Sequence, residues 1–302
     1  MRALTALLAP LILCTTSALD TVTAGALLKQ AVVEDVPCSS RFDSAATGVG
    51  CLTTTCRRKV VDGIFSGDDI DALLEIAKKG LDKREGVRGG PSIVDINTGY
   101  IRDSNGLVNM FASDESVYTS EDFRVYGSII KRLKEEVEST FENVVTYFTA
   151  PTFITRLDGN SSWEPQEPHD EYWHAHSDMA NTAHYFYSGL LYLSDFEVDF
   201  TGGRFLFLSH NSSSGDDVYV PDDDYTVDSV VEPRRGRVVV FTAGEENMHR
   251  VERVTSGERF VLSFWFTCDQ RKEFQIFLDG KMHLAFANKV KDQMRRQQRE
   301  GL

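Results

Sequence analysis

The chain has little positive charge for its length. It contains 32 Lys+Arg against 46 Asp+Glu in 302 residues, which gives a formal net charge of −14. Nucleic acids and anionic membrane surfaces attract basic proteins, so this charge argues against both as partners. No apolar run reaches the roughly 18 residues of a transmembrane helix, which excludes a polytopic membrane protein. With 22 Gly and 8 Pro, the composition is not collagen-like either.

What is present is typical of a globular protein that enters the secretory pathway. The chain is 41% hydrophobic and long enough for one large domain or two small ones. Residues 1–18 are predicted to be a signal peptide, since Arg2 precedes an apolar stretch and small residues precede Leu19. The alternative is a signal anchor, although the run is short for a span and contains Pro10. We therefore expect the endoplasmic reticulum lumen or the extracellular space, or single-pass anchoring if the segment is kept.

Cysteines are scarce, and their number is informative in a secreted chain. Four of the five remain after removal of the signal peptide: Cys38, Cys51, Cys56 and Cys268. An even number predicts two disulfides with three possible connectivities, and the alternative is a buried free thiol at Cys268. A zinc site at Cys51 and Cys56 is disfavoured because no histidine lies near them. Two sequons, at Asn160 and Asn211, predict a glycosylated surface.

The hydrophobic pattern changes along the chain from helical to strand-like. Residues 19–58 are a cysteine-bearing lead-in, and regular structure is expected from Lys59 onward, in a helical support over 59–145. Its two predicted helices run from a Ser66 cap to Gly80 and from about Ser120 to Phe141. A core of short strands follows over 146–268, with an acidic loop over 216–228, and residues 269–302 are an extension with a terminal helix over 289–299.

Eight strands are predicted from alternating apolar residues between turn signals. They are Val145–Phe148, Thr152–Leu157, His174–Asp178, Tyr187–Leu193, Arg204–Leu208, Arg237–Thr242, His249–Val254 and Phe260–Thr267. Helices first and strands afterwards predict an α+β fold with a sandwich or jelly-roll core.

One cluster of histidines stands out in the strand region. His174, His176 and Asp178 alternate along a predicted strand, so they are expected on one face, where they can ligate a metal. A hydrolytic zinc site of the His-x-His-x-Asp type normally continues with a histidine, where this chain has Met179. A non-haem iron site needs only His-x-Asp and one distant histidine, and it leaves three coordination positions open.

Motifs downstream of this cluster support the iron alternative. His176-x-Asp178 is followed by His249, and Arg259 lies ten residues beyond that histidine. The ordered set also includes Leu190–Asp195, Gly202–Phe205, Pro233–Phe241 and Trp265–Phe266. Over about 150–268 the chain resembles the Fe(II)- and 2-oxoglutarate-dependent dioxygenases of the prolyl-hydroxylase type. Its upstream runs Asp62–Ser66 and His169–His174 are similar to the secretory-pathway group named 2-oxoglutarate and iron-dependent oxygenase domain-containing proteins.

The resemblance implies a double-stranded β-helix of about eight strands, which is a jelly-roll or cupin-like core. His176, Asp178 and His249 would hold Fe(II), and Arg259, aided by Tyr192, would bind the distal carboxylate of the cosubstrate 2-oxoglutarate. Such an enzyme uses O₂ to hydroxylate its substrate, releases succinate and CO₂, and depends on L-ascorbate. The substrate would be a protein side chain, as in prolyl hydroxylases, or a small molecule.

Several features leave alternatives open. Arg156-Leu157-Asp158 stands where the family often has Arg-Tyr-Gly, which weakens the case for a prolyl-specific pocket. His174 is expected as a pocket wall, with a fourth ligand as the alternative. A turn at Ser256–Gly257 is expected to carry Arg259 onto the next strand, on one face with the residues two and four positions later. The functional alternatives are a catalytically silent binding module of the same fold and a zinc hydrolase.

Overall fold

The structure, a computed structural model, describes the greater part of the chain from residue 20 onward. The described residues are 20–51, 55–82, 90–103, 106–112, 117–142, 144–149, 152–160, 162–165, 171–210, 225–274, 288, 292 and 296. The predicted signal peptide and the sequon at Asn211 lie outside them, as does almost all of the predicted terminal helix. No helix in these ranges is both long enough and apolar enough to cross a membrane.

Strands outnumber helices in the described part of the chain. The strands are β1 (Thr21–Val22), β2 (Val32–Val36), β3 (Cys56–Val61), β4 (Gly90–Val94), β5 (Tyr100–Asp103), β6 (Gly106–Asn109), β7 (Tyr147–Phe148), β8 (Phe153–Asp158), β9 (Tyr187–Tyr192), β10 (Phe200–Gly202), β11 (Phe205–His210), β12 (Tyr225–Val231), β13 (Val238–Thr242), β14 (His249–Val251) and β15 (Val254–Thr267). The α-helices are α1 (Ser40–Val49), α2 (Gly67–Leu81), α3 (Ser120–Thr140) and α4 (Asp178–Asn181).

The strands form two sheets, and the chain alternates between them. The larger sheet has the order β2-β3-β13-β9-β15-β8-β4-β5-β6, with β7 and β10 also paired to β15. The smaller sheet has the order β1-β12-β11-β14. From β8 to β15 the chain passes back and forth between the two sheets, and a bridge between His176 and His249 extends the smaller sheet beside β14. This is a double-stranded β-helix, so the predicted α+β fold is confirmed.

Apolar side chains cover both faces of the larger sheet. On the inner face, Tyr192 and Val261 belong to one buried cluster with Phe207 of the smaller sheet. On the outer face, the adjacent residues Leu191 and Leu262 join the apolar faces of α2 and α3. Because successive side chains of a strand point to opposite faces, burial on both sides requires nearly continuous apolar strands. The metal-ligand candidates lie on the inner side.

The two predicted long helices are present and begin at capping boxes. Ser66 precedes α2 and exchanges hydrogen bonds with Asp69, and Thr119 precedes α3 and does the same with Asp122. Each box satisfies main-chain donors that have no partner within the helix. Lys79 of α2 forms an ion pair with Asp122 at 2.6 Å. α2 and α3 thus contact each other and form one layer on the outer face of the larger sheet.

The lead-in is structured, so the prediction that regular structure begins at Lys59 is wrong. β1, β2 and α1 all precede that residue, and the Phe42 side chain of α1 is fully buried. Disulfides join Cys38 to Cys56 and Cys51 to Cys268. The alternative of a free thiol at Cys268 is therefore wrong as well. Pairing with β3 and two covalent bridges order a segment whose Ser/Thr/Ala/Gly-rich composition predicts a linker.

Two predictions about the strand region also need correction. The acidic stretch is predicted to be a loop through Asp228, but β12 begins at Tyr225. β15 runs unbroken from Val254 to Thr267, so the chain does not turn at Ser256–Gly257. Gly257 has φ 74° within this strand, where an added Cβ would lie 2.0 Å from the Asp199 carbonyl oxygen. The glycine therefore permits close pairing with β10 instead of a turn.

Candidate active site

Two histidines and one aspartate converge between the sheets. Nε2 of His176 lies 3.9 Å from Oδ1 of Asp178, and Nε2 of His249 lies 3.8 Å from Oδ2 of the same carboxylate. One ligand atom of each residue lies within 4.8 Å of the other two, and these three are the only such group in the described ranges. Two imidazoles and one carboxylate around a single position leave the remaining coordination positions of an ion open.

The segment that carries the first two of these residues is not the strand predicted for His174–Asp178. His176 forms a single antiparallel bridge with His249, through main-chain hydrogen bonds of 3.0 and 2.9 Å. The backbone then enters the short helix α4 at Asp178. The bridge fixes His176 beside His249, and the helix start brings the carboxylate within reach of both rings.

Main-chain carbonyls fix the tautomers of both imidazoles. Nδ1 of His176 lies 3.1 Å from the carbonyl oxygen of His174, and Nδ1 of His249 lies 2.9 Å from that of Asn247. A carbonyl only accepts, so each Nδ1 donates to it, and Nε2 is the nitrogen of each ring that faces Asp178. His174 thus contributes its main chain to the site, while its exposed side chain is outside the ligand group.

Burial keeps His176 uncharged. Desolvation and the neighbouring His249 ring lower the pKa of His176 to about 4, and the charge of Asp178 only partly opposes them. The imidazole is therefore neutral at neutral pH, which is the form that binds a metal.

A cavity of about 140 Å³ extends from the three residues along the inner face of the larger sheet. Alternate residues of β15 line it: Arg259, Val261, Ser263 and Trp265. Ser188 and Leu190 of β9 line it as well. The face predicted for Arg259 is therefore correct, although the predicted turn before it is not.

Arg259 lies in this cavity without an anionic partner. Its side chain is 1% exposed, and its Nε donates to the Gly203 carbonyl at 2.9 Å. Its Nη2 is buried and makes no hydrogen bond to any described residue. Burial lowers the pKa of Arg259, while Tyr192 and Tyr172 act in the opposite direction. No acidic side chain within the described ranges forms an ion pair with this guanidinium.

Tyr192 lies against Arg259. The guanidinium carbon is 5.3 Å from the centre of the Tyr192 ring, and the Tyr192 hydroxyl is buried without a hydrogen-bond partner among the described residues. Burial raises the pKa of Tyr192 to about 12, so the hydroxyl keeps its proton and is available to donate. The guanidinium that lines the cavity and the phenol that packs against it thus both have unused donors.

Gly203 leaves room for the arginine. It has φ 67°, and an added Cβ would lie 2.9 Å from Cδ of Arg259 and 2.9 Å from Cγ2 of Val254. A side chain at this position would therefore push the guanidinium from its present place. The sequence motif Gly202–Phe205 thus has a direct role in the packing of Arg259.

These residues fit Fe(II) and 2-oxoglutarate. Two imidazoles and a carboxylate form the ligand set of a non-haem iron site with open positions. At the other end, an isolated buried guanidinium and an unsatisfied hydroxyl match a carboxylate, since Arg binds carboxylates through paired charge-assisted hydrogen bonds. The cavity joins the two ends, as a ligand that bridges them requires.

Comparison with known proteins agrees with this geometry. The chain is 36% identical over 241 residues to the rat 2-oxoglutarate and iron-dependent oxygenase domain-containing protein 3, which covers 78% of this chain and 70% of the relative. The chain belongs to the 2OG-Fe(II) oxygenase superfamily. This confirms the predicted family and the predicted enzyme class, an oxidoreductase. The model of the superfamily matches residues 166–267, which contain all three metal-ligand candidates and Arg259.

More distant similarities extend to other oxygenases. Mouse prolyl 3-hydroxylase 1 is 26% identical over 228 residues, which are 71% of this chain but 29% of that protein. A solved structure of an oxidoreductase of the 2OG-Fe(II) oxygenase family from Burkholderia pseudomallei covers 79% of this chain and 97% of its own. The sequence identity is 15% and the TM-score is 0.45.

Two further residues line the cavity outside the metal-ligand group and Arg259. Tyr172 lines the cavity, and its hydroxyl accepts from the main-chain N–H of Val254 at 3.0 Å. Ser188 also lines the cavity, with a buried Oγ that has no partner among the described residues. Tyr172 belongs to the run His169–His174 noted in the sequence, whereas Ser188 belongs to no spaced motif and only the strand register reveals its position.

The predicted glycosylation site at Asn160 lies in a tight turn. Its Oδ1 accepts from the Ser162 main chain at 3.0 Å and from the Ser162 hydroxyl at 2.7 Å. Asn160 is partly exposed. Glycosylation of Asn160 stays a prediction.

Proposed function

We propose that this chain is an Fe(II)- and 2-oxoglutarate-dependent dioxygenase that hydroxylates a protein side chain and releases succinate and CO₂. The observation that carries the proposal is the buried Arg259 guanidinium, which shares a cavity with His176, Asp178 and His249 but lacks an anion within the described residues. An unpaired buried charge is costly. A dicarboxylate cosubstrate supplies the missing partner.

Each end of the cavity has a separate task in this proposal. His176, Asp178 and His249 hold Fe(II), which when bound supplies the O₂-activating chemistry that hydroxylates an unactivated C–H bond. Arg259 and Tyr192 hold the distal carboxylate of 2-oxoglutarate by charge-assisted hydrogen bonds. These hydrogen bonds fix 2-oxoglutarate in one orientation, with the end opposite the distal carboxylate toward the metal ligands.

Aromatic rings protect the metal-binding end from water. The centres of the Phe205 and Phe241 rings lie 5.1 and 5.0 Å from the centre of the His249 ring. Both phenylalanines are almost completely buried. A dry environment strengthens the electrostatic interactions of the site and limits side reactions.

The substrate that we propose is a polypeptide, with a prolyl side chain as the first residue to test. The similarity to proteins named prolyl 3-hydroxylase 1 supports this choice. Arg156-Leu157-Asp158 in β8 departs from the family pattern, so other side chains belong in the same screen. A library of peptides, analysed by mass spectrometry for the gain of one oxygen atom, identifies the residue type.

We place the enzyme in the secretory pathway, in the endoplasmic reticulum lumen or outside the cell. The two disulfides support this location, because such bridges persist in oxidising compartments. Signal cleavage near residue 18, glycans on Asn160 and Asn211, and a requirement for L-ascorbate are parts of the same proposal.

One assay separates the proposed activity from its alternatives. The protein is loaded anaerobically with Fe(II) and 2-oxoglutarate, exposed to O₂, and analysed for succinate. We expect succinate from the wild type and none from Asp178→Ala, which should retain the native circular dichroism spectrum. Binding of 2-oxoglutarate without succinate formation would instead indicate a silent binding module. Zinc-dependent hydrolysis of ester or amide substrates would indicate a hydrolase.

A further inference from the structure

A buried arginine far from the metal-ligand candidates in sequence is connected to one of them by hydrogen bonds. Arg58 lies on β3 with 2% of its surface exposed, and its guanidinium carbon is 4.4 Å from the centre of the Phe207 ring. Phe207 of β11 is paired with His249 of β14 in the smaller sheet. The arginine therefore packs on the strand that pairs with the one presenting His249.

The guanidinium holds the short turn that leads into β14. Nε of Arg58 donates to Oδ1 of Asn247 at 2.7 Å, and Nη2 donates to the Glu246 carbonyl at 3.2 Å. On its other side, Nη1 forms ion pairs with Asp228 of β12 and with Glu34 of β2. Arg58 thus fixes the turn over Glu245–Asn247 relative to three strands.

Asn247 connects Arg58 to the imidazole of His249 by hydrogen bonds. Its side-chain amide also donates to Thr242, at 2.9 Å to the carbonyl and 2.8 Å to Oγ1, so Arg58 and Thr242 hold the side chain from both sides. Its main-chain carbonyl accepts the Nδ1–H of His249 at 2.9 Å. The orientation of this carbonyl determines the direction in which Nε2 of His249 points.

We propose that Arg58 is a positioning residue for His249: through Asn247 it orients the imidazole for metal binding. The inference rests on the proposed metal centre. Partners that orient a metal ligand typically change metal affinity by about 10- to 100-fold when they are removed. Arg58 suits this task because its planar fork makes several hydrogen bonds in fixed directions, whereas a lysine offers a single mobile ammonium.

The test measures Co²⁺ binding to the metal-free protein by titration and by visible absorption, which reports ligand geometry. We expect Arg58→Met to weaken Co²⁺ binding at least about 10-fold and to change the absorption spectrum. Asp228→Asn is the matched control, since it removes an ion pair of Arg58 but leaves the bond to Asn247. This control should bind Co²⁺ within about 2-fold of the wild type, because an exposed charge partner contributes little.

Two further variants keep the test decisive if Arg58→Met does not fold. Arg58→Lys retains the positive charge but loses the paired geometry, so we expect an intermediate loss of Co²⁺ affinity. Asn247→Ala interrupts the connection in the middle. Adding Arg58→Lys to Asn247→Ala should cause no further loss of Co²⁺ affinity beyond that of Asn247→Ala alone, because both changes act through one contact.

The outcomes distinguish this inference from the proposed function. Wild-type protein that fails to bind Co²⁺ contradicts the metal centre itself, and with it the role of Arg58. If the wild type binds Co²⁺ and the Arg58 variants bind it equally well with an unchanged spectrum, only the positioning role is overturned. A lower melting temperature with unchanged Co²⁺ affinity also overturns it, since it indicates a purely structural arginine.

Discussion

Arg259 has the strongest functional signature of any single residue in the described chain. Its guanidinium is buried and positively charged, and it retains an unused donor next to the unused hydroxyl of Tyr192. Folding normally pairs or excludes such groups, because a buried charge without a partner is strongly destabilising. A buried guanidinium without a partner therefore indicates that the site binds a ligand of opposite charge.

Replacing Arg259 should mainly affect the cosubstrate. We expect Arg259→Ala to raise the KM for 2-oxoglutarate at least about 10-fold, equivalent to about 1.4 kcal/mol, because a charge-assisted bidentate contact is lost. Fe(II) binding should change little, since the ligands lie at the other end of the cavity. Steady-state kinetics with varied 2-oxoglutarate and a separate metal titration measure the two effects.

Arg204→Ala is the matched control for Arg259→Ala. Arg204 is near in the fold but 37% exposed, and it pairs with Glu252 at 2.7 Å. Surface pairs contribute about 0–1 kcal/mol, so its loss should leave the KM near the wild-type value. An unchanged KM in Arg259→Ala would show that the arginine does not bind the cosubstrate.

Gly203 offers an indirect test of the same contact. Gly203→Ala places a Cβ 2.9 Å from Cδ of Arg259, and its φ of 67° adds strain of about 1–2 kcal/mol for an L-residue. We expect a raised KM for 2-oxoglutarate together with a lower free energy of unfolding. Gly63→Ala controls for the strain alone, since Gly63 has φ 81° and open space around it. If both variants have the same KM, the clash with Arg259 has no functional effect.

Some residues of the site can be recognised from a sequence pattern, and others cannot. His176, Asp178, His249 and Arg259 belong to an ordered motif, and fixed spacing along the chain makes them recognisable. Arg58 and Asn247 are 189 residues apart and join only because β3 pairs with β13. No local spacing encodes such a contact, so only the three-dimensional structure shows it.

At the level of elements, most of the predicted core strands are present, but the pattern misses β10 and β12, and the predicted strand His174–Asp178 is absent. Alternating apolar residues predict β8, β9, β11 and β13 correctly, because each is buried on at least one face. β12 is missed because three of its first four residues are exposed and it follows an acidic stretch. The segment His174–Asp178 is polar and makes one bridge only, since the metal-ligand candidates interrupt regular pairing.

Asp95 creates a pH-dependent element at the turn between β4 and β5. Its side chain is 2% exposed, and it accepts from the main chain of Asn97 and from the Thr98 hydroxyl. Burial raises the pKa of Asp95 from 3.8 to about 6. Between these two pH values the folded protein binds more protons than the unfolded chain, so this residue's stabilising contribution falls as pH rises.

Asp95→Asn should remove this dependence. Relative to the wild type, we expect its free energy of unfolding to rise between pH 4 and pH 7 by on the order of 3 kcal/mol, at about 1.4 kcal/mol per pKa unit. Urea unfolding at several pH values measures the difference. Asp71→Asn is the control, since it changes a 66% exposed carboxylate whose ion pair with Arg235 lies at the surface, where such pairs contribute about 0–1 kcal/mol. A difference that falls with rising pH would contradict the buried-acid explanation.

At the scale of the whole molecule, the N-terminal segment is part of the folded core and contacts both sheets. Arg237, which directly precedes β13, is completely buried and binds Asp62, and it also donates to the carbonyls of Thr23 and Ala26. β1 adds to the smaller sheet and β2 to the larger one. A secretory signal and an even number of cysteines predict disulfides. Which cysteines pair depends on how the N-terminal segment runs across the two sheets.

The two disulfides should therefore contribute unequally to stability. Cys51–Cys268 joins residues 217 positions apart, whereas Cys38–Cys56 joins residues 18 positions apart. Loop-closure entropy predicts about 5 kcal/mol for the long loop and about 3 kcal/mol for the short one, because a longer loop restricts the unfolded chain more. We expect Cys51→Ser/Cys268→Ser to lower the free energy of unfolding by about 2 kcal/mol more than Cys38→Ser/Cys56→Ser. Peptide mapping first verifies that the wild type has no free thiol, and denaturant unfolding then compares the two double variants. Equal losses in the free energy of unfolding would show that native contacts, not chain entropy, determine the effect.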